Sequence, residues 1–193
     1  MGIQTIPAAS GGLAVSDLIT SPKWTQIGSF TTSNSVSTQT FSSLSGYKRY
    51  AIAAVGITSN TVNHDFHRVR VNGVSTESYF LLTFSGSSLS SGTGSGSNDG
   101  WVISGYDGNN QVPSFWWLEI GNGQDSGPKK GTISVVGRTN NGASQNLQRG
   151  DIIFGIGTNP GSITSLSVAM NGGNNISFNT TLPGYGLYVF GGN

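Results

Sequence analysis

Short apolar runs, separated by Gly, Asn and Ser, recur along almost the whole chain, and none sustains the 3.6-residue period of an amphipathic helix. Residues 50–57 (YAIAAVGI) form a continuous apolar run, which predicts a strand buried on both faces or nearly so. Residues 66–71 alternate: His67, Val69 and Val71 share one face, and Phe66, Arg68 and Arg70 the other. Asn72-Gly73 follows at once and predicts a type I′ turn, because that turn needs positive φ at both central residues. Residues 78–84 then read as the returning strand after a short irregular segment. Further strands are predicted over 23–30, 36–41, 101–103, 115–120, 132–136, 151–156, 166–170, 176–178 and 186–190. With roughly ten to twelve short strands at this spacing, the pattern predicts an all-β, antiparallel β-sandwich.

Two regions break the pattern. Residues 1–22 contain few core formers and are punctuated by Pro7, Gly11, Gly12 and Pro22, so they read as an extended arm preceding a sandwich over 23–193. Ile3, Ile6, Pro7, Leu13 and Val15 are the arm's candidate attachment residues. The stretch 85–100 is almost entirely Gly, Ser, Thr and Asn and reads as a mobile loop.

Composition sharpens the class. About half of the 193 residues are Gly, Ser, Thr or Asn, and charged residues are 9% against roughly 25% in an ordinary soluble domain. The helix formers Glu, Lys and Arg are scarce, which excludes an all-α fold. Cysteine is absent, removing disulfides, thiolate metal sites and thiol nucleophiles together. A net charge of +1 gives no footprint for nucleic acid or an anionic membrane. The most apolar stretch is far shorter than the ~20 residues of a membrane-spanning helix. The opening residues lack the basic and apolar regions of a secretory signal, so synthesis and assembly in the cytoplasm are expected. Residues 152–193 carry no Asp, Glu, Lys or Arg. Such a surface keeps little charge between itself and its neighbours, which favours obligate self-assembly. Leu166, Val168, Met170, Ile176, Phe178, Tyr188 and Phe190 are therefore the candidate subunit interface.

Groups able to do chemistry are few. His64 and His67 lie an odd number of residues apart, which on a strand points them to opposite faces and argues against a shared metal. Asp65 and His67 share a face and read as a surface or interface pair. There is no G-x-S-x-G pentapeptide, phosphate-binding loop or calcium-binding loop signature. Glu77 and Glu119 are the only glutamates that could make a glycosidase pair, and the distance between them decides it. Asp99 is a further acid for a depolymerising enzyme, while the aspartates of the Gly-rich loops read as ordinary turn residues. No catalytic residue, metal or cofactor is expected. Trp101, Tyr106, Trp116 and Trp117 are candidate sugar-stacking residues, since an aromatic face suits the apolar face of a sugar. Trp116 and Trp117 are adjacent on a strand, so one fills the core while the other meets a second layer, a subunit or a ligand.

Three segments carry a resemblance. Residues 41–52 (FSSLSGYKRYAI), the RVRVNG of 68–73 followed by Ser78-Tyr79, and the close from Ile163-Thr-Ser-Leu166 through Gly172-Gly173-Asn174 to Leu187-Tyr188-Val-Phe190-Gly191 resemble the strand-and-turn patterns of bacteriophage tail-fibre and appendage domains. Asn175-Ile176 stands where that pattern has Phe after Gly-Gly-Asn. The resemblance implies a non-enzymatic virion protein with a jelly-roll-like sandwich, commonly trimeric. It would be assembled in the bacterial host cytoplasm, attached to other virion proteins through its arm, and able to contact host polysaccharide. A capsid decoration protein and a carbohydrate-binding module or lectin are the competing readings.

Overall fold

The computed structural model describes residues 24–32, 36–59, 65–74, 77–85, 88–96, 103–106, 114–139, 144–154, 159–170 and 175–193. Thirteen strands and no helix occur among them. The strands are β1 (Trp24–Phe30), β2 (Thr38–Phe41), β3 (Arg49–Ser59), β4 (Asp65–Val71), β5 (Glu77–Ser85), β6 (Ser88–Gly96) and β7 (Ile103–Tyr106). They continue with β8 (Ser114–Ile120), β9 (Lys129–Thr139), β10 (Ser144–Phe154), β11 (Leu166–Met170), β12 (Ile176–Phe178) and β13 (Gly186–Gly192).

All pairings are antiparallel, and the strands form two sheets of unequal size. The larger runs β1-β13-β3-β8-β9-β10-β5-β6, with β12 continuing the line of β13 along β3. The smaller runs β2-β11-β4-β7. One apolar core joins them, with Val69, Val71, Leu166 and Val168 from the small sheet and Ile52, Leu118, Ile133, Val135, Leu187 and Val189 from the large one, all essentially inaccessible. The fold is therefore the antiparallel β-sandwich that the alternating sequence predicts. In β11, Leu166, Val168 and Met170 are buried while Ser167 and Ala169 are not, as a period of two requires.

Strand β3 sits at the heart of the large sheet because its run of small and branched apolar residues can be covered from both sides. It bulges between Ala54 and Ile57, where Gly56 takes a φ of 66° and its carbonyl accepts from Asn179 N–H at 2.9 Å. At this break its partner changes from β13 to β12.

Two expectations are corrected. The stretch 85–100 contains a strand, since β6 pairs residue by residue with β5 from Ser85↔Ser88 to Glu77↔Gly96. A ladder needs only backbone donors and acceptors, so an edge strand of Ser, Gly, Thr and a single Leu forms without an apolar face to announce it. Asn72-Gly73 does make the turn, with φ of 51° and 71°, but it does not join paired strands. Val74 N–H closes on Val71 O at 2.9 Å, and the chain then passes from the small sheet to β5 in the large one. The Asn72 carboxamide is occupied elsewhere. It donates to Pro160 O at 2.6 Å and Ser162 O at 2.7 Å, and accepts from the N–H groups of Thr164 at 2.8 Å and Ser165 at 2.9 Å.

Candidate functional site

The sandwich separates the candidate residues by face. Trp116 lies in the core at 3% exposure, so it is unavailable for sugar stacking. Its indole Nε1–H donates to His67 Nδ1 at 3.1 Å. His67 is itself fully buried, which replaces the expected surface or interface pair. Leu166, Val168, Met170, Ile176 and Phe178 are also buried between the two sheets of one chain, so they are corrected from subunit interface to core. The alternation that made them look like a contact face is satisfied within the protomer. Tyr106 ends β7 at the edge of the small sheet, in register with Asp65. Trp101, Asp99 and the arm residues Ile3, Ile6, Pro7, Leu13 and Val15 lie outside the described residues.

Trp117, Tyr188 and Phe190 remain, and the register brings them together on the outer face of the large sheet. Trp117 pairs with Ala53 and Ala53 with Tyr188; one row along, Glu119 pairs with Ala51 and Ala51 with Phe190. The Trp117 ring meets Phe190 at 5.5 Å between centroids and Trp24 edge-on at 5.7 Å. Arg49 lies over the Trp24 ring at 5.3 Å and extends to Glu119, with 3.3 Å between Nη1 and Oε1. Both side chains of this ion pair are about a third exposed. An aromatic layer thus covers small residues on the side of the sheet away from the core, with Phe115 exposed at its end.

Beyond Glu119 the same face turns polar. Glu119, Thr132 and Asp151 occupy successive strands in one row, and Thr132 Oγ1 donates to Asp151 Oδ1 at 3.2 Å. The next outward row holds Gly121, Lys130 and Ile153, with Gly121 N–H donating to Lys130 O at 2.8 Å. Two open depressions flank Gly121. One of about 620 Å³ is lined by Glu119, Lys130, Thr132, Asp151 and Ile153. The other, about 510 Å³, is lined by Lys48, Arg49, Asn122, Gln124, Asp125 and Asn193.

The β8–β9 loop that walls the second depression is fixed from beneath. Lys129 is fully buried, and its ammonium donates to Asn122 O at 2.8 Å and also to Asp125 O. Desolvation pulls its pKa below the ordinary lysine value, against the opposing influence of the Asp125 carboxylate. Gly123 N–H donates to Lys48 O and Ile163 N–H to Gly123 O, both at 2.7 Å, and Ser162 Oγ donates to Gln124 O at 2.8 Å. These bonds tie the wall to the strands and loops around it.

The proposed glutamate pair is not brought together. Glu119 in β8 and Glu77 in β5 stand three strand spacings apart, about 14 Å, beyond the roughly 6.5–9.5 Å between the carboxyls of an inverting glycosidase. No group of three His, Asp or Glu among the described residues could hold a metal ion. Sequence reasoning missed Trp24, Arg49, Thr132 and Asp151 as members of this face. Parity along each strand was readable for Trp117 and Glu119, but their neighbours depend on long-range register.

Comparison of the chain with protein-family models, with curated proteins and with solved structures finds no match.

Proposed function

We propose that this chain is a non-enzymatic structural protein of a bacteriophage particle, a tail-fibre, head-fibre or appendage module that works as a homo-oligomer, with a trimer favoured. Residues 1–22 attach it to other virion proteins in this reading, and the sandwich is the building block. The observation that supports it best is the aromatic layer of Trp24, Trp117, Tyr188 and Phe190, on a sheet face that the protomer's own second sheet does not cover. A neighbouring copy of the chain is the occupant that suits it. Phe115 and Ile153, the large apolar residues most exposed among those described, lie on that same face. The sparse charge of the chain lets such faces approach without repulsion.

Sedimentation of the full chain at micromolar concentration tests the reading. A stable trimer is expected, and Trp117→Ser with Phe115→Ser shifts it towards monomer while the circular dichroism spectrum stays that of a β-protein. A monodisperse monomer of the unaltered chain overturns it. Quantitative mass spectrometry of purified particles should find the chain in a copy number that is a multiple of three.

A further inference from the structure

We propose that β6 is a docking edge for a second copy of this chain, the two β6 strands pairing antiparallel about a two-fold axis at Gly92. The inference goes beyond the particle reading and does not need it. β6 ends the order of the large sheet, and among the described residues no strand pairs with its outer side. Every second residue of an edge strand turns its N–H and C=O away from its neighbour, which leaves a row of backbone donors and acceptors for another strand to meet.

Sheet edges are ordinarily protected by charge, proline, a bulge or shortness. The other three sheet ends have such protection: β1 breaks register between Gln26 and Gly28, and β2 and β7 are only four residues long. β6 has none of it. It runs for nine residues in unbroken register with β5, and its sequence SLSSGTGSG contains no charge and no proline. The occupant is another β6 because the strand is compatible with itself. In an antiparallel pair of identical strands centred on Gly92, Ser88 stands opposite Gly96, Ser90 stands opposite Gly94, and all nine residues are paired. Identical strands that carry charge can set like charges opposite each other, at a cost; this strand carries none. With a single Leu in β6, the contact rests on backbone hydrogen bonds rather than on apolar area. It is therefore weak, acts between copies already held close together, and leaves the species seen at micromolar concentration to the aromatic face.

The chain has no cysteine, so a disulfide formed by a single introduced cysteine can only join two copies. Gly92→Cys, Ser88→Cys and Gly96→Cys are each made in the full chain and oxidised with diamide at about 1 mM, the order of local concentration between tethered partners. Gly92→Cys should cross-link about ten-fold faster than Ser88→Cys, whose two thiols stand about 27 Å apart along the antiparallel pair. A mixture of the Ser88→Cys and Gly96→Cys chains should join as the heterodimer. Charge then tests the register. Ser90→Lys with Gly94→Lys sets like charges opposite each other and should slow the Gly92→Cys link about ten-fold, whereas Ser90→Lys with Gly94→Glu sets opposite charges together and should restore it. A Gly92→Cys link no faster than that of Ser88→Cys overturns the proposal. So does a mixture that forms no heterodimer, or an equal rate in the two charge variants. If circular dichroism shows the charge variants unfolded, the three cysteine chains carry the decision. A monomeric unaltered chain in sedimentation would overturn the particle reading and leave this test intact, because the link is read between any two copies.

Discussion

Trp116 in β8 and His67 in β4 meet inside the core, and the hydrogen bond from the indole Nε1–H to His67 Nδ1 at 3.1 Å ties the large sheet to the small one. An indole nitrogen can only donate, so Nδ1 must be the accepting nitrogen and the imidazole carries its proton on Nε2. The directional bond adds to the close packing of the core in fixing how the two sheets sit on each other.

Removing either partner should therefore cost more than its area. Trp116→Phe leaves the buried Nδ1 without its donor and should destabilise by about 1–3 kcal/mol. At roughly 2–4 °C of melting temperature per kcal/mol for a domain of this size, the loss is measurable by differential scanning calorimetry. His67→Leu should cost a similar amount. The double variant should be less destabilised than the sum of the two, with a coupling of at least about 0.5 kcal/mol. Strict additivity would show that the bond contributes nothing beyond packing.

Asn72 should be the most sensitive position on the surface of the sandwich. Its φ of 51° disfavours residues with a Cβ, and its carboxamide satisfies carbonyls and N–H groups of residues 160–165. Asn72→Gly relieves the backbone but loses the bonds, while Asn72→Ala suffers both. The alanine variant should be less stable than the glycine variant by about 1 kcal/mol, and both less stable than the native chain. Denaturant unfolding checks the order; equal stability of the two variants would remove the backbone contribution.

How much of this was readable from the chain differs by element. The alternation of His67, Val69 and Val71 assigned their common face correctly, and the adjacency of Trp116 and Trp117 required them to part. Which of the two entered the core was not readable, because inward and outward are set by the second sheet. Leu166, Val168 and Met170 looked like a contact surface for the same reason: periodicity says that one face is covered but not by what. Strand β6 was invisible because Ser and Gly pair through backbone alone. The row Glu119–Thr132–Asp151 joins residues from three strands, and only the register between them creates it.

Gly191 is required by a neighbour rather than by its own conformation. A Cβ at this position would clash with the Tyr47 ring, which packs edge-on against Tyr50 at 6.0 Å between centroids. Gly191→Ala should destabilise by about 1–3 kcal/mol through forced displacement of that ring. Combining it with Tyr47→Val should recover part of the loss relative to the sum of the single changes. Thermal melts of the three variants test this, and simple additivity would place the strain elsewhere.

Lys129 makes stability depend on alkaline pH in a direction that its burial dictates. Desolvation lowers its pKa in the folded protein, while the unfolded chain keeps a value near the ordinary 10.5. Between the lowered value and 10.5 the unfolded state binds more protons than the folded one, so stability rises with pH across that window. Below the window both states are protonated and the contribution is constant. Tyr50 acts in the opposite sense: burial raises its pKa above 10.0, so its contribution is present below that value and is lost as pH climbs through the raised one. The Lys129 effect is isolated by comparing the native chain with Lys129→Met in a Tyr50→Phe background. The stability of the lysine form relative to the methionine form should be flat at neutral pH and increase as pH approaches 10.5. A difference that stays flat or falls would mean that the carbonyls of Asn122 and Asp125 hold the ammonium strongly enough to outweigh its loss of water.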